Sequence, residues 1–547
     1  MDKIKKQIGK ILAKELKGKL KGEEILKLIE IPPSDHMGDY SFPCFSLAKI
    51  EKKNPILIAE NLKKKVKLPT EISNSETSSG YLNFFIEKKN FVSNVFKNIK
   101  KIKPSVKKKK IILEHTSVNP NASPHVGRMR NSFIGDSLNR ILEFQGYNVE
   151  THYYVNDVSK QIAMLALTFK STDKFSDLLK NYVSISQKIK KNPKLEKEVF
   201  DLLYKFEKGD KKTKDLFKTI VDIAVSGQKK IFSDLGIKFD FFDYESNYIQ
   251  ASKKVLNELQ KTGKLFEDEN SRLVLNQENT GVERSMKSPV LVLTRKDKTG
   301  LYPLRDIAYT IYKCKRGENI LVLGEDQKLY FEQIKQALIL LKKPYPNVVH
   351  YSFVLLKDIG KMATRKGDVV LLEDFLKQAI KKAEKEIEKR GTKGDAKKVA
   401  LAAVKYAILK NQNNQNITFD LEQALAFEGN TGPYLLYSYA RASSILRKSK
   451  FKSNKSIKIL DLKEQEIKLL KKMNMFQETI ENAHSHFSPN LIANYSYELA
   501  QIFNEFYHTC PVIGSAEQEF RLKLIDNFRK IMKYSLNLLG IEVLEEM

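Results

Sequence analysis

The sequence predicts an α/β chain, a doubly wound parallel sheet between a small mixed N-terminal domain and an all-α C-terminal region. Three observations carry this. An apolar run, Ile111-Ile112-Leu113, is followed by a helix pattern at Ile134, Leu138, Ile141, Leu142 and Phe144 and then by a strand pattern over 149–155, the spacing of a parallel strand–helix–strand unit. The same alternation resumes after about residue 285. From about 375 to the end the pattern is helical throughout.

Taken in order, residues 1–88 read as a domain of their own. Ile4, Ile8, Ile11, Leu12, Leu16 and Leu20 share one helical face with lysines opposite, which fits a docked first helix better than a membrane-surface helix. A loop, Pro32-Pro33-Ser34-Asp35-His36-Met37-Gly38-Asp39-Tyr40, leads to a second helix over about 45–62 and a strand at Gly80-Tyr81-Leu82-Asn83-Phe84-Phe85. Residues 89–108 read as a linker, lysine-dense from Lys97 and broken by Pro104. The parallel-sheet domain occupies 109–375. It holds a lysine-rich, mostly helical insertion at about 165–285, then a strand over 290–294, a helix over 306–315, a strand at Ile320-Leu321-Val322-Leu323, a helix over 330–341 and a strand over 350–356. The Asn/Gln run 411–416 reads as a loop between helices of the 376–547 region.

Composition sets outer limits. The chain has 547 residues, 41% of them hydrophobic, enough for about three or four domains at ~150 residues each. Lys+Arg number 96 against 66 Asp+Glu, a net charge of +30. That excess suits a polyanionic partner through counterion release, and a lysine-rich compositional bias suits it equally. Cys44, Cys314 and Cys510 lie far apart with no CxxC pair, which argues against a zinc ribbon or a disulfide scaffold and for a reducing, cytoplasmic setting. No apolar run approaches the ~20 residues of a membrane span, so no membrane partner is expected.

Two short motifs carry chemistry. Pro124-His125-Val126-Gly127-Arg128 follows the first strand and opens a helix, where free N–H groups and a partial positive charge face an anion. Gly127 permits close approach of a ligand to the backbone, and His125 and Arg128 share a face. Far downstream, Gly360-Lys361-Met362-Ala363-Thr364-Arg365-Lys366-Gly367 places cations between glycines after a strand, a basic loop able to clamp a triphosphate. Alone, the first is an ordinary helix start and the second a solvated basic turn. In this order, each after a strand of a split parallel sheet, they are far more specific.

Together they resemble the His-Ile-Gly-His and Lys-Met-Ser-Lys-Ser signatures of class I aminoacyl-tRNA synthetases. Longer stretches resemble the arginyl-tRNA synthetase family with archaeal-type motifs: Glu114-His115-Thr116-Ser117-Val118-Asn119-Pro120, Tyr302-Pro303-Leu304-Arg305-Asp306-Ile307-Ala308-Tyr309, and Phe427-Glu428-Gly429-Asn430-Thr431-Gly432-Pro433-Tyr434 with Tyr439-Ala440-Arg441. Gly38-Asp39-Tyr40 and Gly80-Tyr81-Leu82-Asn83-Phe84 are similar to that family's extra N-terminal domain. The resemblance covers nearly the whole chain, least clearly in 165–285.

The resemblance implies a class I Rossmann-like catalytic domain, an N-terminal domain touching the outer corner of a tRNA, and a helical DALR-type anticodon-binding domain. It implies arginine–tRNA ligation: arginine and ATP give arginyl-adenylate and pyrophosphate, and the arginyl group passes to the 3′ end of tRNA(Arg), with activation dependent on bound tRNA. Mg2+ is expected with ATP, no zinc, and a monomer. By the same resemblance Glu114, Ser117, Asn119, Tyr302, Asp306 and Gln327 bind arginine. His125, Gly127, Arg128, Lys361, Met362 and Lys366 bind ATP, with His125, Arg128, Lys361 and Arg365 acting in catalysis. A guanidinium calls for carboxylates in planar pairing, which Glu114 and Asp306 would supply. A helix cap is the other reading of Asp306, and core packing of Tyr302.

Tyr434, Tyr437, Arg441 and Met547 are the candidates for reading the anticodon, since splayed bases stack on aromatic and Arg planes. Helix–helix packing suits any single tyrosine as well. Asp157 and Gln161 fit a pocket lining and a turn tie equally. Lys107–Lys110 fit phosphate contact or plain solvation. Two positions depart from the family. Arg128 replaces the last signature histidine. Thr364 replaces the loop's second lysine, while the place of a compensating upstream lysine holds Ala122. The competing readings are a class I synthetase for another amino acid and a noncatalytic tRNA-binding paralogue.

Overall fold

The computed structural model describes residues 3–33, 37–106, 109–357, 370–451 and 462–547. The chain divides into two compact units: residues 1–103, 441–481 and 498–532 form one, and residues 104–440, 482–497 and 533–547 the other.

The first unit begins with the amphipathic helix Lys3–Leu16, which buries Ile4, Ile8, Leu12 and Leu16 as its periodicity predicts. A three-stranded antiparallel sheet follows, with Tyr81–Ile86 between Tyr40–Pro43 and Ile72–Ser78. The single helix expected over 45–62 is two, Phe45–Glu51 and Pro55–Lys65. Lys52 turns left-handed at φ 51°, and Asn54 caps the second helix by accepting from the Ile56 N–H, with Pro55 in its first turn. Gly38-Asp39 acts structurally. Gly38 sits at φ +100°, where an added Cβ would meet the Phe84 carbonyl at 3.1 Å. The Asp39 carboxylate accepts from the Ile86 N–H at 2.7 Å and pairs with Lys471 at 2.8 Å. Residues 89–108, expected as a solvated linker, hold most of a helix, Lys88–Lys101. Its apolar face (Phe91, Val92, Val95, Ile99) packs toward the Glu464–Asn474 helix, with Asn98 meeting Asn474 at 3.5 Å. Lysine density hid this face because the lysines line only its other side.

The second unit contains the parallel sheet. Its order is Asn347–Tyr351, Glu318–Gly324, Lys110–Glu114, Asn148–Val155, Phe241–Tyr244, all parallel. Strands from the two sequence halves lie side by side at Lys110–Glu114 and Glu318–Gly324, so the topological switch falls at the carboxyl end of Glu114. The Met129–Phe144 helix is the first crossover.

Five expectations change here. The insertion's long helices end at Asp234, and Phe241–Tyr244 returns as the sheet's edge strand. Val290–Val292 belongs to a separate antiparallel sheet with Leu273–Asn276 and Leu265–Glu267. The short connection from Leu273–Asn276 to it has no crossover helix, which parallel pairing requires. The strand expected over 350–356 is two: Asn347–Tyr351 in the main sheet, and Val354–Leu356 paired in parallel with Ile417–Phe419. That last strand interrupts the region expected to be helical throughout. The helix expected from Asp306 begins at Tyr302, with Pro303 in its first turn.

The buried Arg130 guanidinium explains the split strand. It donates to the carbonyls of Ser352 (2.8 Å), Gln415 (2.6 Å) and Gln412 (2.6 Å), drawing the Asn/Gln run against the end of the Asn347–Tyr351 strand. Among the described residues no helix is long and apolar enough to cross a membrane.

Candidate active site

The site is built where the Lys110–Glu114 strand ends. The chain leaves the sheet through Thr116 (φ 72°) and Ser117 (φ 43°), left-handed conformations that non-glycine residues adopt at a cost. Neighbours hold them there. The Thr116 N–H donates to Asn131 Oδ1 at 2.9 Å, and the Ser117 hydroxyl accepts from the Tyr154 N–H at 3.1 Å. Gln228 Nε2 donates to the carbonyls of Asn119 (3.1 Å) and Ala122 (3.0 Å). Asn119 is therefore fixed through its backbone, leaving its half-buried side chain for other work. Ala122 has only a methyl side chain and is buried at 3% exposure, so it supplies no charge.

The first signature forms a 3-10 turn, Val126–Arg128, that leads into the Met129–Phe144 helix. His125 Nδ1 accepts from the Gly127 N–H at 3.1 Å. The ring proton of the neutral imidazole is thereby assigned to Nε2. Burial, reinforced by the charge of Arg128, lowers the His125 pKa to about 4, so the ring is neutral at pH 7. Arg128 faces the Tyr351 phenol, whose pKa burial raises and the arginine partly restrains. The backbone of this turn is pinned to the chain just after the basic loop: the Val126 N–H donates to the Val370 carbonyl (3.0 Å) and the Leu372 N–H to the Pro124 carbonyl (2.9 Å). Lys361, Met362, Thr364, Arg365 and Lys366 lie outside the described residues, as do Lys107 and Lys108.

The Tyr302–Cys314 helix packs against the Glu318–Gly324 strand and the Lys328–Leu340 helix. Leu304, Ile307 and Ala308 enter the core with Leu259, Ile334 and Leu338. Tyr302, Asp306, Tyr309 and Lys313, at i, i+4, i+7 and i+11, form one stripe. Asp306 stands in the helix's second turn, so the capping role is excluded. Its carboxylate accepts from the Tyr330 hydroxyl and has no ion pair among the described residues. Arg305 next to it is spent elsewhere, on Glu245 (2.5 Å) and the Gly300 carbonyl (2.8 Å). Burial, with the charge of Glu114 adding to it, raises the Asp306 pKa to about 6. Glu114 and Asp306 thus feel each other's field. The buried Glu114 carboxylate is paired with Lys313. Tyr302 is half exposed and meets the Tyr330 ring at 5.3 Å with the planes tilted by 48°, so core packing does not account for it.

Gln327 ends the 3-10 turn Glu325–Gln327, is exposed, and donates to the adjacent Asp326 at 3.2 Å. Asp157 accepts from the Ser246 N–H at 2.9 Å, the turn tie of its two readings, and Ser159 caps the Lys160–Ala166 helix. Tyr434 lies 5.8 Å from the Tyr497 ring, and Tyr437 is 37% exposed. Arg441 donates to Asn504 at 2.6 Å and lies over the Tyr507 ring. Met547 is partly exposed. Sequence reasoning passed over Tyr309, Lys313 and Tyr330. The first two were accessible from the helical spacing that starts at Tyr302. Tyr330 comes from another helix, and no local pattern points to it.

A profile for the catalytic domain of class I (R) tRNA synthetases matches residues 91–421, one for the arginyl-tRNA synthetase N-terminal domain matches 2–86, and one for the DALR anticodon-binding domain matches 435–547. The chain is 36% identical to the arginine–tRNA ligase of Methanocaldococcus jannaschii over 95% of its length and 96% of the relative's. It is 34% identical to that of Methanosphaera stadtmanae over 99% of each. The structure of Thermus thermophilus arginyl-tRNA synthetase superposes with a TM-score of 0.81 at 25% identity, covering 99% of both chains.

Proposed function

Because the chain belongs to the arginyl-tRNA synthetase family, we propose that Glu114 and Asp306 are the carboxylates that receive the substrate guanidinium, with Tyr302, Ser117, Asn119 and Gln327 around them. The activity is arginine–tRNA ligation: arginine and ATP form arginyl-adenylate and pyrophosphate, and arginine passes to the 3′ end of tRNA(Arg). The observation that carries the pocket assignment is Asp306, a carboxylate walled by phenols, without an ion pair among the described residues, in the field of a second carboxylate. Such a group gains most from a cation that brings several N–H donors in one plane.

ATP enters as its magnesium complex. The Nε2–H of His125 takes its phosphates, with Gly127 letting them approach the backbone closely, in keeping with a neutral ring that donates without adding charge. Arg128 supplies a fixed positive charge on the same turn. Lys361, Met362, Arg365 and Lys366 complete the phosphate clamp; the pinning of Val370 to Val126 supports a loop that works beside His125. Tyr434, Tyr437, Arg441 and Met547 contact the anticodon arm. The protein acts as a monomer in the cytoplasm, a setting in which Cys44, Cys314 and Cys510 stay free thiols.

The test is arginine-dependent pyrophosphate exchange in the presence of total tRNA. Asp306→Asn is expected to raise the KM for arginine at least tenfold (~1.4 kcal/mol) while leaving the KM for ATP within about twofold. An unchanged arginine KM would remove Asp306 from the pocket.

A further inference from the structure

Lys313 is buried to 2% exposure in the last turn of the Tyr302–Cys314 helix. An ammonium group so far from water is costly unless it is paired, and an apolar side chain would fill the same space without that cost. Here it is held on two sides. Nζ donates to the Glu114 carboxylate and lies 4.2 Å from the centre of the Tyr309 ring. That ring is itself fixed: it stacks on Tyr154 at 4.4 Å, and its hydroxyl donates at 2.7 Å to Asp243, which also receives His152 at 2.6 Å. Lys313 cannot turn away without abandoning both partners. It stands seven residues beyond Asp306, about 10 Å along the helix axis, so it does not share Asp306's contact with the ligand.

We propose that Lys313 is a positioning residue for arginine: its ammonium, trapped between Glu114 and the Tyr309 ring, holds the Glu114 carboxylate in the orientation that meets the substrate guanidinium. This rests on the assignment of Glu114 to the arginine pocket. One oxygen is engaged by a permanent internal cation, and the remaining acceptor directions face the pocket with little freedom left to lose on binding.

Lys313→Met, Glu114→Gln and the double variant are compared by steady-state aminoacylation with tRNA in saturating ATP. Lys313→Met is expected to raise the arginine KM about tenfold, the loss of one charge-assisted hydrogen bond's worth of orientation, with kcat lowered less than about threefold. In the Glu114→Gln background the same substitution is expected to add less than about twofold, because Lys313 acts through that carboxylate. Lys313→Arg, which keeps the charge, is expected to stay within about threefold of the parent. Where Lys313→Met does not fold, Lys313→Gln is measured in its place with the same expectation. The inference is overturned if Glu114→Gln raises the arginine KM but neutralising Lys313 does not, if the two losses are fully additive, or if Lys313→Arg is as impaired as Lys313→Met. A Glu114→Gln enzyme with unchanged arginine KM strikes instead at the pocket assignment itself.

Discussion

The N–H of Val126 donates to the carbonyl of Val370 at 3.0 Å, joining two segments 244 residues apart in the chain. This bond and its companion from Leu372 to Pro124 bring the first signature against the residues that directly follow the second. These are backbone hydrogen bonds, which depend little on the side chains of the first signature, and Arg128 is accommodated on the turn without disturbing them.

Arg128 is the described cation on the signature turn, facing Tyr351 and restraining protonation of His125. Arg128→Ala is expected to lower tRNA-dependent pyrophosphate exchange by about 10²–10³, the usual effect of removing one preorganised group from a developing charge. The KM for arginine should move less than about threefold. A rate equal to the parent's would show that the loop cations suffice.

Asp306 titrates near pH 6 because burial raises it. Arginine is then expected to bind with constant affinity well above pH 6 and more weakly below it, approaching about a tenfold rise in KM per pH unit. The sign for stability is opposite. A carboxyl whose pKa is raised in the fold contributes stability at low pH that is lost as pH rises through about 6, and bound arginine offsets the loss. Thermal shifts on adding arginine should be larger at pH 7.5 than at pH 5; equal shifts would contradict this.

Gly540 occupies φ +68°, and an added Cβ would stand 2.4 Å from Asp136 Oδ2. Its carbonyl accepts from the buried Lys405 at 2.6 Å, an amine whose pKa burial lowers to about 8. Gly540→Ala is expected to destabilise the second unit by about 1–3 kcal/mol, read as a lower thermal midpoint. A midpoint within one degree of the parent would mean that the tail simply shifts aside.

Arg130→Met removes a buried guanidinium that satisfies three carbonyls. About 3 kcal/mol of stability should be lost, since buried acceptors are left without donors. Faster amide exchange in Ile417–Phe419 and Val354–Leu356 would locate the damage; unchanged protection there would contradict the role.

The parallel sheet was legible because its strands are apolar runs at crossover spacing, and the first signature because it follows one of them. The pocket was half legible. The family motifs pointed to Glu114 and Asp306 as the proposed carboxylates, but the helix start at Tyr302 was missed, and with it the stripe that includes Tyr309 and Lys313. The linker was misread because lysines on one face of Lys88–Lys101 masked the apolar positions on the other.

The chain's periodicities and motif order determined its fold class and the two signature positions, since these depend on neighbours within a turn or a strand, and the resemblance of its longer motifs pointed to its activity. Only the tertiary structure decided that Lys313 faces Glu114 across 199 residues, that Arg130 gathers Ser352, Gln412 and Gln415, and that Val290–Val292 leaves the main sheet. A buried charge must find its partner wherever the fold places one, and nothing in the local sequence around it records which partner that is.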